Sequence, residues 1–486
     1  MSFIEVEFLF FLPIVWMVHW LLPRRIGAQN AALLASSYLF FAAWHWKVLG
    51  LVIAGTIVDY LVGSYLGRTT GSKESATSRR IALATSLLFG LGALAFFKYE
   101  GFFASSINAL LMSLGFSSSL PVLKLALPLG ISFYTLQRVG YVLDVYWGRH
   151  PPARTFLDFA VFTSFFPQVT AGPISRASEL LSQLQRPRHL TADLLARGAA
   201  AFLMGYVLKG WAGDSIGNDL VNPVFDRSTE FGVLAHWAGV GGYALQVFGD
   251  FAGYSLMAIG VGRLFGIELP VNFNFPFLSR SLPEFWRRWH ITLNRWLFDY
   301  IFTPLTTSRG WFRGRIDTAL LVTFLASGLW HGPNWTFVLW GALHGLGMIV
   351  HRNWDEIYRG WCRRNRAWVQ RRKSWWYAAF AWLVTIGFFV LTLVPFRSSN
   401  IGAATDFAAR MFSSPGDALP PIGINVMLAV LVMIGYHLLE TKHFAWCRER
   451  YFALPPFVRG LTYGAVIVFL MIKTPVASGT FIYQQF

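Results

Sequence analysis

The sequence predicts an all-α integral membrane protein, a multi-span helical bundle in which some helices are broken or re-entrant. Three observations predict it. Of 486 residues, 55% are hydrophobic and only 13% are charged, against about 25% charged in an ordinary soluble domain, and the mean hydropathy is +0.47. Apolar stretches recur along the chain at close to the length that crosses a bilayer, about 20 residues. Several other stretches mix apolar residues with Gly, Pro and charge, a pattern tolerated at membrane depth only where the backbone is buried in protein or lines a wet cavity.

The first element starts at Phe8 with FLFFLPIVWMVHWLL. Glu5 and Glu7 precede it, with no basic n-region and no small-residue cleavage site, so it reads as a retained first span. Further apolar stretches fall at 28–46, 49–67, 81–98, 101–117, 155–172, 197–212, 232–266, 317–330, 335–350, 375–395, 422–439 and 460–475. Together they predict about 11 spans, some short or tilted. The segments 70–79 and 181–196 are polar enough for loops or surface helices. Nothing divides the chain by composition, so residues 1–486 are read as one domain.

Forty-one Lys and Arg against 24 Asp and Glu give a net charge of +17. These bases sit between apolar segments and not in a basic domain interleaved with aromatics, which argues against nucleic acid as a partner. The positive-inside rule makes them cytoplasmic markers: Arg24 and Arg25; Arg68, Lys73, Arg79 and Arg80; the run Arg352–Lys373; and Lys442, Arg448 and Arg450. The largest run holds eight bases with Asp355 and Glu356, and reads as a loop touching anionic headgroups of membrane lipids. The two cysteines, Cys362 and Cys447, lie in such basic stretches and are too few for a disulfide framework or a Cys-rich metal site. No metal site is expected.

Four interrupted stretches, 121–148, 166–176, 270–285 and 328–334, are where a site is sought. Pro283–Tyr300 is helix-permissive. At 100° per residue Phe285, Trp289, Leu293 and Trp296 share one side, Glu284, Arg288, Arg295 and Asp299 another, and Arg287, His290 and Asn294 a third. Glu284 with Arg288 and Arg295 with Asp299 are i,i+4 pairs. This is either an interfacial helix with snorkelling arginines or a helix whose His290 sector faces a cavity.

In Ala326–Trp335 the apolar run from Thr318 to Trp330 has only 13 residues, too few to span. Gly332 and Pro333 then forbid a regular helix, so His331 falls on a break. A second helix from Trp335 to Val350 carries His344. An imidazole at membrane depth is expensive and points to function, although a structural hydrogen bond to a neighbouring helix is the alternative; for His344 and His19 a structural or interfacial role is the better reading. His45, beside two tryptophans, reads as an interface anchor. A neutral imidazole kept from bulk water suits general-base work on a hydroxyl, and neither a serine triad nor a phosphate loop is present. An intramembrane His on a broken helix also fits a channel or transporter.

Long ordered runs narrow this: Phe165-Phe-Pro-Gln-Val-Thr-Ala-Gly-Pro-Ile174, Asp250-Phe-Ala-Gly-Tyr-Ser255, Asn272-Phe-Asn-Phe-Pro276, Glu284-Phe-Trp-Arg-Arg-Trp-His290, Gly328-Leu-Trp-His-Gly332 and Asn334-Trp-Thr-Phe-Val-Leu-Trp-Gly341. With these the chain resembles the membrane-bound O-acyltransferase family, in its bacterial branch of alginate O-acetylation and teichoic-acid D-alanyl transfer proteins. The resemblance implies a fold around a central tunnel, with the essential histidine at His331 and the second at His290. Trp286, Arg287, Arg288, Asn294, Trp330, Asn334, Gln168 and Asp250 become candidate supporting or substrate-binding residues.

The resemblance also implies partners and location. The donor is a cytoplasmic thioester, acetyl-CoA or an acyl carrier protein thioester, used as substrate with no bound cofactor. The acyl group crosses the bacterial inner membrane to a polysaccharide acceptor, alginate- or cellulose-like, through a periplasmic acetyltransferase partner. D-alanyl or other acyl transfer to a cell-wall polymer or a lipid is the alternative. Leu256, Phe298 and Thr306-Thr-Ser-Arg309 depart from the alginate-type pattern, which bears on the acceptor and leaves His331 intact.

Overall fold

The computed structural model describes residues 2–71, 76–116, 120–123, 128, 130–308, 310–418, 422–439 and 441–474. Lys73, Arg309, residues 124–127 and 129, and the last residues of the 101–117 and 460–475 stretches lie outside them. The described residues form helices, with an isolated bridge between Phe231 and Ala418 and no named strand. The protein is all-α.

Among the described residues five helices are long and apolar enough to cross a membrane: Ile26–Arg68, Ala76–Ser113, Val233–Leu264, Trp375–Arg397 and Pro456–Lys473. Ile424–Leu438 and Lys442–Phe452, bent by 101°, make a sixth if taken as one span. Val6–Leu21, Phe156–Val169 and Ile316–His331 are apolar but shorter. The count is below the 11 read from the sequence because some expected stretches merge into one helix and others form helices too short to be counted. Ile26–Arg68 takes in two of them and is kinked where His45 leaves helical geometry (φ −163, ψ 109). His45 is exposed there.

The chain divides into two compact units, Met1–Phe202 with Ser255–Pro270, and Leu203–Tyr254 with Val271–Phe486. In the first, helices are tied by buried polar groups, as expected where water cannot satisfy them. Asp59 accepts from Arg138 Nε and Ser86 Oγ, each at 2.6 Å. Asn30 Nδ2 donates to Asp158 Oδ1 at 2.7 Å, and Arg188 Nη2 donates to Asn30 Oδ1 at 2.7 Å.

The second unit holds a comparable group. Lys209 Nζ lies 2.6 Å from Asp214 Oδ1 and 3.1 Å from Asp250 Oδ1, with all three side chains almost fully buried. Two expectations are corrected in this unit. Arg352–Lys373 is helical and not a loop: Trp335–Arg364 runs into it, Asn365 caps the next helix by accepting from Ala367 N at 2.8 Å, and Arg366–Lys373 follows. Tyr358 is buried beneath Trp354, Trp361, Trp368 and Tyr377 and donates to Trp368 O at 2.9 Å. Pro283–Tyr300 is likewise no continuous helix but two, Leu282–Arg288 and Ile291–Leu297, followed by a π-helical turn, Phe298–Phe302.

Candidate active site

The helix Ile316–His331 stops where the sequence predicts. Gly332 turns extended (φ −171, ψ 157), and Asn334 starts Trp335–Arg364 by accepting from Thr336 N at 3.0 Å, as a good N-cap does. The two helices fold back on each other through glycines. A Cβ on Gly328 would run into the Phe337 carbonyl and one on Gly341 into that of Phe324, while one on Gly345 would meet Leu321 Cα at 3.1 Å. His331 lies buried at the turn. Its ring is 5.1 Å from that of Trp330, 4.9 Å from Trp340 and 5.2 Å from Phe396.

The second break carries His290. Ser281 opens Leu282–Arg288 by accepting from Glu284 N at 3.3 Å, and Glu284 Oε2 accepts from Arg280 N at 2.9 Å, close to a capping box. The helix ends as Trp289 turns extended, and His290 is left-handed (φ 43, ψ 52). Phe275 is the other non-glycine residue with positive φ among the described residues. A left-handed non-glycine costs about 1–3 kcal/mol and persists only where its surroundings over-determine it.

Here they do. The Asn272–Asn274 segment pairs with the break, Asn274 N donating to Arg288 O and Ile291 N to Asn272 O, each at 2.9 Å. Asn294 Nδ2 donates to Trp286 O at 2.9 Å and Trp289 O at 2.5 Å, so carbonyls at the end of the first helix have partners.

Hydrogen bonding fixes the His290 tautomer. Asn272 Oδ1 accepts from Thr292 N at 3.3 Å and Thr292 Oγ1 at 3.0 Å. A backbone N–H can only donate, so this atom is an acceptor. His290 Nδ1, 3.1 Å away, must then carry the proton. His290 Nε2 is buried with no hydrogen-bond partner among the described residues, and presents a lone pair. The ring stands 4.5 Å from Phe251 and 5.6 Å from Trp330. Trp330 is therefore in ring contact with both His290 and His331.

A third histidine continues the aromatic group. His344 is fully buried, with its ring 4.6 Å from Trp340 and 4.9 Å from Trp286. Thr392 Oγ1 donates to Phe389 O at 2.7 Å, so it accepts from His344 Nε2 at 3.0 Å. Of the structural and interfacial roles that the sequence leaves open for His344, this buried bond is the structural one. The indoles of Trp286 and Trp340 lie 5.8 Å apart, and neither N–H has a partner among the described residues.

The structure thus gathers His290, His331, Trp286 and Trp330 in one unit. Asn294 and Asn334 support them through the backbone, Asn334 Nδ2 also donating to Ser399 O at 2.7 Å. Arg288 pairs with Glu284 at 2.8 Å, as the i,i+4 spacing predicts. Arg287 is exposed. Asp250 belongs to the Lys209 group. Gln168 lies in the other unit, where Gln168 Nε2 donates to Gln137 Oε1 at 2.8 Å and Gln168 Oε1 accepts from Ser175 Oγ at 3.0 Å.

Sequence reasoning missed Asn272 as a partner of His290, although the Asn-Phe-Asn-Phe-Pro run that contains it was a signal. Among the described residues no three His, Cys, Asp or Glu side chains are disposed to hold a metal ion. Two buried imidazoles against one indole can accept or orient a proton away from bulk water.

Comparison with known proteins gives this geometry its setting. Residues 153–394 match the family model of MBOAT, the membrane-bound O-acyltransferase family. The chain is similar to a probable alginate O-acetylase of Azotobacter vinelandii, 38% identical over 72% of this chain and 69% of the relative. It is also similar to one of Pseudomonas syringae, 35% identical over 85% and 75%. A peptidoglycan O-acetyltransferase of Helicobacter pylori is 32% identical over 84% and 79%. With its apolar helices and buried histidines on helix breaks, the chain belongs to the membrane-bound O-acyltransferase family and is a multi-pass membrane O-acyltransferase.

Proposed function

We propose that the protein moves an acetyl group from a cytoplasmic thioester, acetyl-CoA or an acyl carrier protein thioester, across the inner membrane for O-acetylation of an exopolysaccharide. A periplasmic acetyltransferase passes the group to the alginate- or cellulose-like acceptor, and a central tunnel brings donor and acceptor together. His331 takes the proton of the attacking hydroxyl, while His290 orients the acyl group or stabilises the developing oxyanion. The observation that supports this reading is the contact of one indole, Trp330, with two buried histidines that each sit on a helix break. General-base catalysis is worth about 10²–10⁴-fold, and positioning in dry surroundings contributes much of the rest. Membership of an enzyme family displaces the transporter alternative.

A second reading has support of its own. The relative named a peptidoglycan O-acetyltransferase matches 84% of this chain, which favours a cell-wall polymer as the rival acceptor. Cells expressing the protein and fed labelled acetate separate the two, with label expected in secreted polysaccharide and, on the rival reading, in peptidoglycan. Label in neither fraction contradicts both.

A further inference from the structure

We infer that Asn272 is a positioning residue that holds His290 as a hydrogen-bond acceptor toward substrate, an inference that rests on the proposed acyl transfer at this site. The Asn272 oxygen is held in place by the Thr292 N–H and hydroxyl, and the backbones of Asn272 and Ile291 are joined at 2.9 Å. Facing that oxygen, His290 keeps its proton on Nδ1 and has only a lone pair to offer from Nε2. An imidazole in this state cannot donate to an oxyanion. Of the two roles open to His290, the geometry selects orientation through acceptance of an N–H or O–H from the thioester donor or the acceptor alcohol.

The backbone enforces the same arrangement. His290 is left-handed, and the strain is held by the Asn272–Asn274 segment and by Asn294. One buried lone pair without a partner among the described residues, in a site built against the local backbone preference, costs stability unless a ligand uses it.

The test reads the tautomer directly. Full-length protein in nanodiscs is labelled with ¹⁵N-histidine, and among its eleven histidines the His290 signals are assigned by their loss in His290→Gln. Wild type is expected to show a protonated Nδ1 and a bare Nε2. Free histidine in water favours the opposite tautomer, so Asn272→Leu is expected to shift the proton toward Nε2 and lower turnover about 100-fold, the scale of a misplaced orienting group. Asn272→Asp keeps an acceptor and is expected to restore the tautomer and return turnover to within about tenfold of wild type. Thr292→Val, which removes only the hydroxyl bond, should keep the wild-type tautomer.

A wild-type spectrum with the proton on Nε2 overturns the inference, as does wild-type turnover in a folded Asn272→Leu protein. The spectrum needs no substrate. A protein that shows the expected tautomer but transfers no acyl group defeats the proposed function and leaves the Asn272–His290 geometry standing.

Discussion

Gly328 lies so close to Phe337 that a single methyl group on it would overlap the Phe337 carbonyl oxygen. That contact closes the hairpin whose turn carries His331. Because the obstructing atom is backbone, it cannot rotate away, and Gly328→Ala should destabilise the protein by about 1–3 kcal/mol or more. Gly387, with open space around it, is the control, and Ala there should be neutral or slightly stabilising. Thermal unfolding in detergent, followed by tryptophan fluorescence, should show a lowered midpoint for the first variant alone.

Asn294 offers a second handle. Its amide bonds two carbonyls at the break before His290, so Asn294→Ala should cost about 1–3 kcal/mol through the groups left unpaired. Turnover should fall with it, while the KM for the thioester stays within about twofold of wild type. A large rise in that KM with unchanged stability would instead mark Asn294 as a substrate contact.

The Lys209 group predicts an order of effects. One ammonium faces two carboxylates out of water, and removing one partner of a buried pair costs about 3–5 kcal/mol. Lys209→Met strands both carboxylates and should nearly abolish folded protein. Asp214→Asn leaves Lys209 paired with Asp250 and should be far milder. Folded yield on size-exclusion chromatography ranks them, and equal yields would contradict the order.

Asp355 gives a pH dependence. Burial alone would raise its carboxyl, but hydrogen bonds and charge from Arg359 and Arg372 outweigh burial and hold it below the usual carboxylate range. A depressed group stabilises the protein above its unfolded value, about 3.9, and loses that contribution as the pH falls through the lower folded value. The effect is under about 1 kcal/mol, since the arginines are largely exposed. The drop in unfolding temperature of wild type below about pH 4 should be shallower in Asp355→Asn.

These sites differ in how legible they were. The His331 break was plain from a short apolar run before Gly332-Pro333, two residues that forbid a helix whatever surrounds them. The His290 break was hidden. Phe285, Trp289, Leu293 and Trp296 keep a helical spacing and are all buried, so the apolar face is right although the helix stops between them. Glu284 and Arg288 meet because both lie before the break. The sector joining Arg287, His290 and Asn294 crosses the break, and periodicity cannot carry it across. What sets the break is Asn272, eighteen residues earlier, a tertiary contact without a local signal. The span count differs for a similar reason, because apolar windows at 28–46 and 49–67 do not reveal that the two run on as one kinked helix, Ile26–Arg68.

The central claim is that His331 serves acyl transfer through this fold. Inverted membrane vesicles given radiolabelled acetyl-CoA, with wild type and His331→Ala at matched folded expression, test it most directly. Label should reach the partner protein or polysaccharide in wild type and fall by at least about 100-fold in the variant. Equal labelling in a folded His331→Ala protein would contradict the account.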